Sequence, residues 1–411
     1  MSELEFLKWR LIQFGKSHSH FYFLNSNQIP PALGLAKYEF VVGIGCVNEL
    51  NSSLFHINDA IKENKQWYFT AFKYEAYKHF DVDTNNDEIH LIQPEIVITL
   101  PFYGQQSMQW INNGITEEKF SQYQLDFEQQ MVEAFDYKVE GLDFVPTMSK
   151  QEYIDKVAFI KNQIVEGDYY ELNLCQKYNS KVGLFSPEIV YWHLNKQSPS
   201  PFSAFVKIKN EYIICMSPER FLFKQGCKLV SQPIKGTNMK KEDDNENQKL
   251  ALKNSEKDRA ENVMIVDLVR NDLSRISEPG TVKVDELFGI YSHQYVNHMV
   301  STISSKIKQG IGFAEIMKSL FPMGSMTGAP KLEVMKNIEQ HENNARGYYS
   351  GCIGYIENSG DFDFNVVIRS LIYNQITKEL NYQVGGAITF DSDAELEYLE
   401  CQLKGKAFRN L

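Results

Sequence analysis

The interpretation of the chain starts from Lys228-Leu229-Val230-Ser231-Gln232-Pro233-Ile234-Lys235-Gly236-Thr237. Its first five residues form a short β-like run, and a proline and a glycine then flank the lysine. We therefore expect Lys235 to stand where a strand gives way to a loop, with its amine presented to a cavity. The alternative is an ordinary lysine with its charge in solvent.

Outward from this stretch, helical and strand-like patterns alternate, which predicts an α+β fold. Residues 1–145 form a strand-rich N-terminal region with runs at 21–24, 38–44, 67–72 and 96–100, followed by a helix at 117–137. A capping box at Ser149 predicts a helix that ends at Gly167 and opens a second region, residues 146–411. The sequence has no fixed-period repeat, Rossmann motif or phosphate loop.

The second region is predicted to continue as mixed strands and helices. Strands are expected at 169–178, 202–208, 212–216, 221–224, 228–232, 283–288, 298–306, 348–357, 362–373 and 379–387. Helices are expected from Ser186, from Ser255, at 313–321, at 330–341 and at 393–406.

The composition of the 411 residues is that of an ordinary globular protein, with a net charge of −11 and a pI of about 5.4. Lysines are scattered among acids, which argues against a nucleic-acid surface, and no apolar run is long enough to cross a membrane. The N-terminus lacks a signal or transit pattern, so a cytoplasmic protein is expected. Six dispersed cysteines without a Cys-x-x-Cys pair predict reduced thiols.

Two predicted helices each carry a pair of acids at i, i+3 spacing, which places both carboxylates on one face. The pairs are Asp258 with Glu261, and Glu397 with Glu400. Carboxylates on facing helices are suited to Mg²⁺, a hard cation that keeps sites open for substrate oxygens. The alternative is two solvated helix faces, with Lys404 as an ion-pair partner of Glu400.

Three further segments are suited to anions. Arg369 lies in the apolar run 364–372, where a buried charge needs an internal acid or a substrate carboxylate as partner. The segment Gly385-Gly386-Ala387 ends a predicted strand with little side-chain bulk, so its backbone N–H groups can approach a ligand. Residues 324–331 are rich in glycine and hydroxyl groups and lead into a helix N-terminus, a natural anion site.

Together these segments resemble the chorismate-utilising enzyme family, over about residues 149–408. The motifs that carry the resemblance are Ser217-Pro218-Glu219-Arg220-Phe221, residues 233–237, 258–262 with 266–272, 324–331, 346–351, and 391–400. The resemblance implies an anthranilate synthase component I-like fold, with two β-sheets packed as a sandwich and surrounded by helices. It also implies that residues 146–411 are the catalytic domain of an Mg²⁺-dependent enzyme that binds chorismate.

Within the family, the residue at position 235 separates two branches. Lys235 resembles the branch that makes 4-amino-4-deoxychorismate for para-aminobenzoate and folate, in which this lysine is the proposed covalent nucleophile. A pocket that desolvates the lysine would favour its neutral form. The alternatives are anthranilate synthase, which usually has alanine here, and a non-catalytic relative that binds tryptophan or a partner protein.

The resemblance also implies roles for single residues. Glu219 matches the general acid/base for the departing hydroxyl, and His298 matches an active-site histidine, with a structural core histidine as its alternative. Glu261 and Glu400 match the Mg²⁺ ligands, supported by Asp258 and Glu397. The residues expected to bind substrate are Gly236, Thr237, Ser325, Tyr349, Arg369, Gly385, Ala387 and Lys404.

The sequence departs from the family pattern at Glu171, where amino-transferring members usually have glutamine, and at Cys401, where threonine is usual. No cysteine lies in a Gly-x-Cys-x-Gly turn, so ammonia is expected from a separate glutamine amidotransferase subunit or from free ammonium. Residues 198–202 resemble part of a tryptophan pocket in relatives, although a plain proline-rich loop is the simpler interpretation. Tryptophan is therefore a candidate ligand only.

Overall fold

The computed structural model describes residues 1–82, 87–104, 107–132 and 142–411. The helices are α1 (Glu3–Gly15), α2 (Leu54–Asn64), α3 (Glu117–Gln129), α4 (Lys150–Glu166), α5 (Pro187–Gln197), α6 (Asn245–Asn254), α7 (Glu256–Ile276), α8 (Phe313–Leu320), α9 (Lys331–His341), α10 (Ala394–Lys404) and α11 (Lys406–Arg409). None of these described helices is long and apolar enough to span a bilayer.

The strands in chain order are β1 (His20–Asn25), β2 (Tyr38–Ile44), β3 (Asn48–Leu50), β4 (Tyr68–Phe72), β5 (Ile89–Gln93), β6 (Ile96–Pro101), β7 (Gln109–Asn112), β8 (Val145–Pro146), β9 (Glu171–Lys181), β10 (Phe202–Ile208), β11 (Glu211–Ser217), β12 (Arg220–Gln225), β13 (Lys228–Gln232), β14 (Ile234–Met239), β15 (Lys283–Ser292), β16 (Val296–Lys306), β17 (Gly328–Ala329), β18 (Cys352–Ile356), β19 (Phe362–Asn365), β20 (Ser370–Asn374) and β21 (Glu379–Ile388).

These strands form two antiparallel sheets. The first has the order β17-β9-β21-β20-β11-β10-β1-β2-β6-β7, with β8 beside β9. The second has the order β14-β16-β13-β12-β19-β18-β4-β5-β3, with β15 beside β16. The predicted α+β class is thereby confirmed.

The two sheets pack face to face between layers of helices. Aromatic and aliphatic side chains of both sheets share one core, in which the rings of Tyr22 on β1 and Phe69 on β4 lie 5.4 Å apart. A second core joins the outer face of the first sheet to helices that include α1, α4 and α5, and a third joins the outer face of the second sheet to α2, α7 and α8. The resulting order of layers is helix, sheet, sheet, helix.

The N-terminal region contributes strands to both sheets. Strands β1, β2, β6 and β7 extend the first sheet, and β3, β4 and β5 extend the second. The division near residue 145 is therefore not a division between sheets. Helix α1, which the strand-like aromatic runs did not indicate, begins with a capping box between Ser2 and Glu5 and buries Trp9 and Ile12 against the first sheet.

Local signals placed the ends of some elements correctly. Ser149 forms the predicted capping box of α4, and Gly167 ends that helix in the left-handed conformation. Helix α3 ends at Gln129 instead of residue 137, and residues 133–137 lie outside the described part of the chain. All six cysteines are free, as predicted.

Two of the places where the chain changes sheets lie beside each other. Residues 218–219 connect β11 of the first sheet to β12 of the second, and residues 366–369 lead from β19 back to β20. The two crossovers are joined by backbone hydrogen bonds, from Val366 N to Glu219 O at 3.1 Å and from Met216 N to Arg369 O at 3.0 Å. The prediction of one continuous strand at 362–373 was wrong, because this apolar run serves two sheets.

Candidate active site

Lys235 lies in an irregularity of an edge strand. Strand β14 pairs with β16, but the register shifts between Ile234 and Thr237, so one extra residue is inserted there. Gly236 takes up the bend with a φ of 93°. The prediction that the lysine ends a strand at a loop was wrong, since Pro233 only interrupts the strand and β14 continues to Met239.

The amine of Lys235 faces a carboxylate in the interior. Its Nζ lies 2.6 Å from Oε1 of Glu171 on β9, and the two side chains are 9% and 1% exposed. Burial disfavours the ammonium, but the negative charges of Glu171 and Glu261 outweigh it and raise the pKa of Lys235. The expectation that desolvation leaves this amine partly neutral was therefore wrong in direction for the unliganded site.

Glu219 occupies the first crossover and is almost fully buried. Loss of solvent raises the pKa of its carboxyl to about 7, although a hydrogen bond with Ser325 and the nearby positive charges of Lys235 and Arg369 oppose the shift. Ser325 lines the same small cavity as Glu219, and its hydroxyl is placed to hydrogen-bond to the Glu219 carboxyl. A buried acid with this pKa can donate a proton at neutral pH.

His298 is held on β16 opposite Thr237 of β14. Its Nδ1 lies 2.8 Å from the Thr237 hydroxyl, while its Nε2 is buried and has no partner in the described part of the chain. Burial and the charge of Arg369 lower the pKa of His298, so the ring is neutral. His293, which the sequence analysis missed, stands with its ring centre 5.0 Å from that of His298.

Arg369 lies on the second crossover, not inside a strand. Its φ of 50° is in the left-handed region, which is uncommon for a residue other than glycine. No hydrogen bond or ion pair to its guanidinium is found among the described residues. The sequence left two possible partners for Arg369, an internal acid or a substrate carboxylate. No acid among the described residues contacts its guanidinium directly, so the guanidinium is free to bind a ligand anion.

The two acidic pairs belong to α7 and α10, as predicted. Lys257 places its Nζ 4.0 Å from Glu261 and 3.9 Å from Glu397, so a cation already lies between the helices. Burial raises the pKa of Glu261 to about 7 and also raises that of Glu397. Carboxyl oxygens are the ligands that a hard cation such as Mg²⁺ takes, although the ammonium of Lys257 competes for these same groups.

The acids do not form a closed metal cage. Within the described ranges no group of three or more His, Cys, Asp or Glu side chains is arranged to hold a metal. Asp258 is packed against Gly236, where an added Cβ would come within 2.9 Å of it.

The Gly385–Ala387 segment on β21 lies beneath the acids of α10. A Cβ at Gly386 would stand 2.9 Å from Glu397 Oε2, so this glycine permits the close approach of helix and strand. Lys404 donates to the carbonyl of Gly385 at 2.7 Å and lies 2.7 Å from Glu400 Oε1. Lys404, which was predicted to bind substrate, is thus already engaged in two internal contacts.

Tyr349 is buried near the same strand. Its hydroxyl lies 4.0 Å from the sulfur of Cys175, and Cys175 is the register partner of Gly385. Cys401 is also buried, with its sulfur 3.4 Å from the hydroxyl of Tyr153. Tyr349 therefore stands close to the Gly385–Ala387 segment, which was also expected to bind substrate.

Three charged residues of the motifs hold the scaffold together. Arg220 binds Asp363 through two nitrogens at 2.8 Å each, and Arg346 binds Glu342 at 2.6 and 2.8 Å. Lys331 forms a buried ion pair with Asp272 of α7. This last contact fixes the segment before α9. An anion site was predicted there, but the charge of its lysine is already paired with Asp272.

The end of the segment 198–202 borders a cavity that N-terminal residues also line. Pro201 and Phe202 line it together with Leu24, Tyr38 and Glu39. Glu39 is buried and forms an ion pair with Lys8 of α1. The pocket at this position is thus lined by residues from both parts of the chain.

Comparison with known proteins places this geometry in context. The profile described as chorismate binding enzyme matches residues 46–410. The chain is 38% identical over 330 residues to the chloroplastic aminodeoxychorismate synthase of Arabidopsis thaliana, covering 78% of this chain and 36% of that protein. It is 36% identical over 260 residues to aminodeoxychorismate synthase component 1 of Escherichia coli (strain K12), covering 63% of this chain and 57% of that protein.

The fold has counterparts among solved structures. Anthranilate synthase component I from Streptococcus pneumoniae TIGR4 superposes with a TM-score of 0.79 at 23% identity, covering 91% of this chain and 92% of that one. This likeness confirms the predicted anthranilate synthase component I-like fold. The profile match covers nearly the whole chain and includes every motif named above, and on that ground the chain belongs to the chorismate binding enzyme family.

Proposed function

We propose that this protein replaces the C4 hydroxyl of chorismate by an amino group and makes 4-amino-4-deoxychorismate. The chain spans about a third and just over half of the two relatives above, both named as aminodeoxychorismate synthases. The observation that carries the proposal is the buried Lys235, whose Nζ is paired with Glu171 at 2.6 Å inside the site. An interior amine is a nucleophile that the alanine-bearing alternative, anthranilate synthase, lacks.

The substrate is an anion, and the site offers matching donors. Arg369 has an unpaired guanidinium within the described structure, and the N–H groups of Gly385 and Ala387 are the backbone donors proposed to assist it. His298 Nε2 is a buried polar atom that lacks a partner among the described residues. Such atoms are destabilising when unsatisfied, and a polar ligand would satisfy them.

The proposed chemistry divides one substitution into two. The neutral amine of Lys235 attacks C2 of chorismate, the ring double bonds shift, and the C4–O bond breaks as Glu219 protonates the departing hydroxyl to water. Ammonia then attacks C4, the double bonds shift back, and Lys235 leaves. Burial favours the acid form of Glu219 that the first step needs.

We further propose that Glu261 and Glu400 hold Mg²⁺, with Asp258 and Glu397 around them. When bound, the ion would neutralise a substrate carboxylate and help to orient chorismate. Without it, that carboxylate would face the negative side chains of α7 and α10. Lys257, which lies between Glu261 and Glu397, would have to turn away.

Ammonia is proposed to come from a glutamine amidotransferase subunit, because the sequence contains no glutaminase nucleophile turn.

The deciding experiment incubates the protein with chorismate, Mg²⁺ and ammonium and identifies the product by chromatography and mass spectrometry. We expect 4-amino-4-deoxychorismate. Anthranilate as the product would favour anthranilate synthase, and unchanged chorismate would favour a non-catalytic relative.

A further inference from the structure

The contact between Lys235 and Glu171 raises a question about the proton on the lysine. An amine attacks carbon only through its lone pair, so the ammonium must first lose a proton. The charges around Lys235 make this loss harder. They are Glu171 on β9, Glu261 on α7 and Glu219 on the crossover, and all three favour the ammonium.

One of these acids differs from the others in its geometry. Glu171 alone among the described residues accepts a hydrogen bond from Lys235 Nζ, at 2.6 Å. Its second oxygen, Oε2, is buried and has no partner in the described part of the chain. Its side chain is 1% exposed, so water has little access to the pair.

We propose that Glu171 is the catalytic base that takes the proton of Lys235 and holds it while the amine acts as nucleophile. The inference rests on the proposed function. Transfer across the hydrogen bond converts a buried ion pair into a neutral amine beside a neutral carboxylic acid, which removes two charges from an interior site. Neither residue has a hydrogen bond or ion pair, among the described residues, to the four acids proposed for the metal.

The proton returns at the end of the cycle. Lys235 Nζ bonds to C2 as a neutral amine and becomes a secondary ammonium, while C4–O breaks and the hydroxyl leaves as water with the proton of Glu219. When ammonia bonds to C4, the N–C2 bond breaks and Lys235 departs as a neutral amine. It then recovers its proton from Glu171, and the product ammonium returns one proton to Glu219. No oxidant or reductant is required.

This role predicts an unusual dependence on pH. In the wild type the shared proton stays within the pair, so the neutral amine is available to the same extent across a range of pH. In Glu171→Gln the proton must go to solvent, and the neutral fraction falls about tenfold for each pH unit below the pKa of Lys235. Glu219 titrates in both proteins, so its effect cancels in the ratio of their rates.

The test measures the rate of adduct formation at Lys235 by quenched mixing and peptide mass spectrometry, with chorismate and Mg²⁺ but without ammonia. We expect the ratio of Glu171→Gln to wild type to fall as the pH is lowered from 8 to 6, by at most about 100-fold. Glu39→Gln, which removes the acid of the buried Lys8–Glu39 pair, is the matched control, and its ratio should not change with pH.

A ratio for Glu171→Gln that stays constant between pH 6 and pH 8 would overturn the assignment. If Glu171→Gln does not fold, Glu171→Asp provides the decision: it keeps the carboxylate, so its ratio should be flat, and a steep ratio refutes the proposal. If the wild type forms no adduct at any pH yet still makes the 4-amino product, the nucleophilic role of Lys235 fails, and the role of Glu171 fails with it.

Discussion

Replacing Glu219 by glutamine should lower activity and raise stability. Burial lifts the pKa of this carboxyl from 4.5 to about 7. An acid with a raised pKa in the folded state lowers stability as pH rises from about 4.5 to 7, because the unfolded chain ionises first. At 1.36 kcal/mol per pH unit, the raised pKa of Glu219 lowers the free energy of unfolding at pH 8 by about 3 kcal/mol.

Glutamine keeps the shape of the side chain and does not ionise. The free energy of unfolding of Glu219→Gln should therefore exceed that of the wild type by about 2.5 kcal/mol more at pH 8 than at pH 5. For a chain of this size the corresponding change in melting temperature is about 3 °C. Chemical denaturation at the two pH values measures the difference directly.

The same substitution removes the proposed proton donor. Wild-type kcat should fall about tenfold per pH unit well above pH 7, where the acid form is lost, and kcat of Glu219→Gln should be lower by about 100-fold or more without that alkaline limb. Equal stability differences at pH 5 and pH 8 would refute the raised pKa. An alkaline limb that persists in the variant would show that another group supplies the proton.

Three further outcomes are expected. Arg369→Lys keeps the charge but loses the two-pronged guanidinium, so kcat/KM should fall about tenfold or more with little change in melting temperature. The control Arg220→Lys should lower the melting temperature, because Arg220 binds Asp363. A lower melting temperature with unchanged kcat/KM in Arg369→Lys would show that Arg369 has a structural role. Glu400→Ala should abolish turnover with Mg²⁺ present, and wild-type rates would disprove its role as a ligand. Lys235→Ala should lose the 4-amino product and the chorismate adduct. If this variant formed the product at the wild-type rate, the lysine would serve only to position the substrate by its charge.

Local sequence signals were reliable where a helix or strand is specified by neighbours in the chain. The capping box at Ser149 and the glycine at 167 set the ends of α4, and the acid spacings on α7 and α10 put each pair on one face. Interactions of this kind act within one turn and need no distant partner. The residue types of the site could therefore be named in advance.

Signals failed where the chain changes sheets or departs from regular pairing. Residues 362–373 have the composition of one strand, but the chain bends between the sheets and sets Arg369 in a left-handed conformation. Lys235 follows a proline that breaks β13, yet β14 pairs onward along β16 through a bulge. Both outcomes depend on strands that are distant in sequence, so no local pattern contains them.

The sequence by itself determined the family, the α+β class and the candidate residues, because ordered motifs and short-range spacings survive without coordinates. Only the tertiary structure decided which charges meet. Glu171 was noted as an unusual residue, but its partner could not be inferred, since 64 positions separate it from Lys235. Folding removes both side chains from water, and an interior ammonium and carboxylate stabilise one another only where the two sheets bring β9 and β14 together.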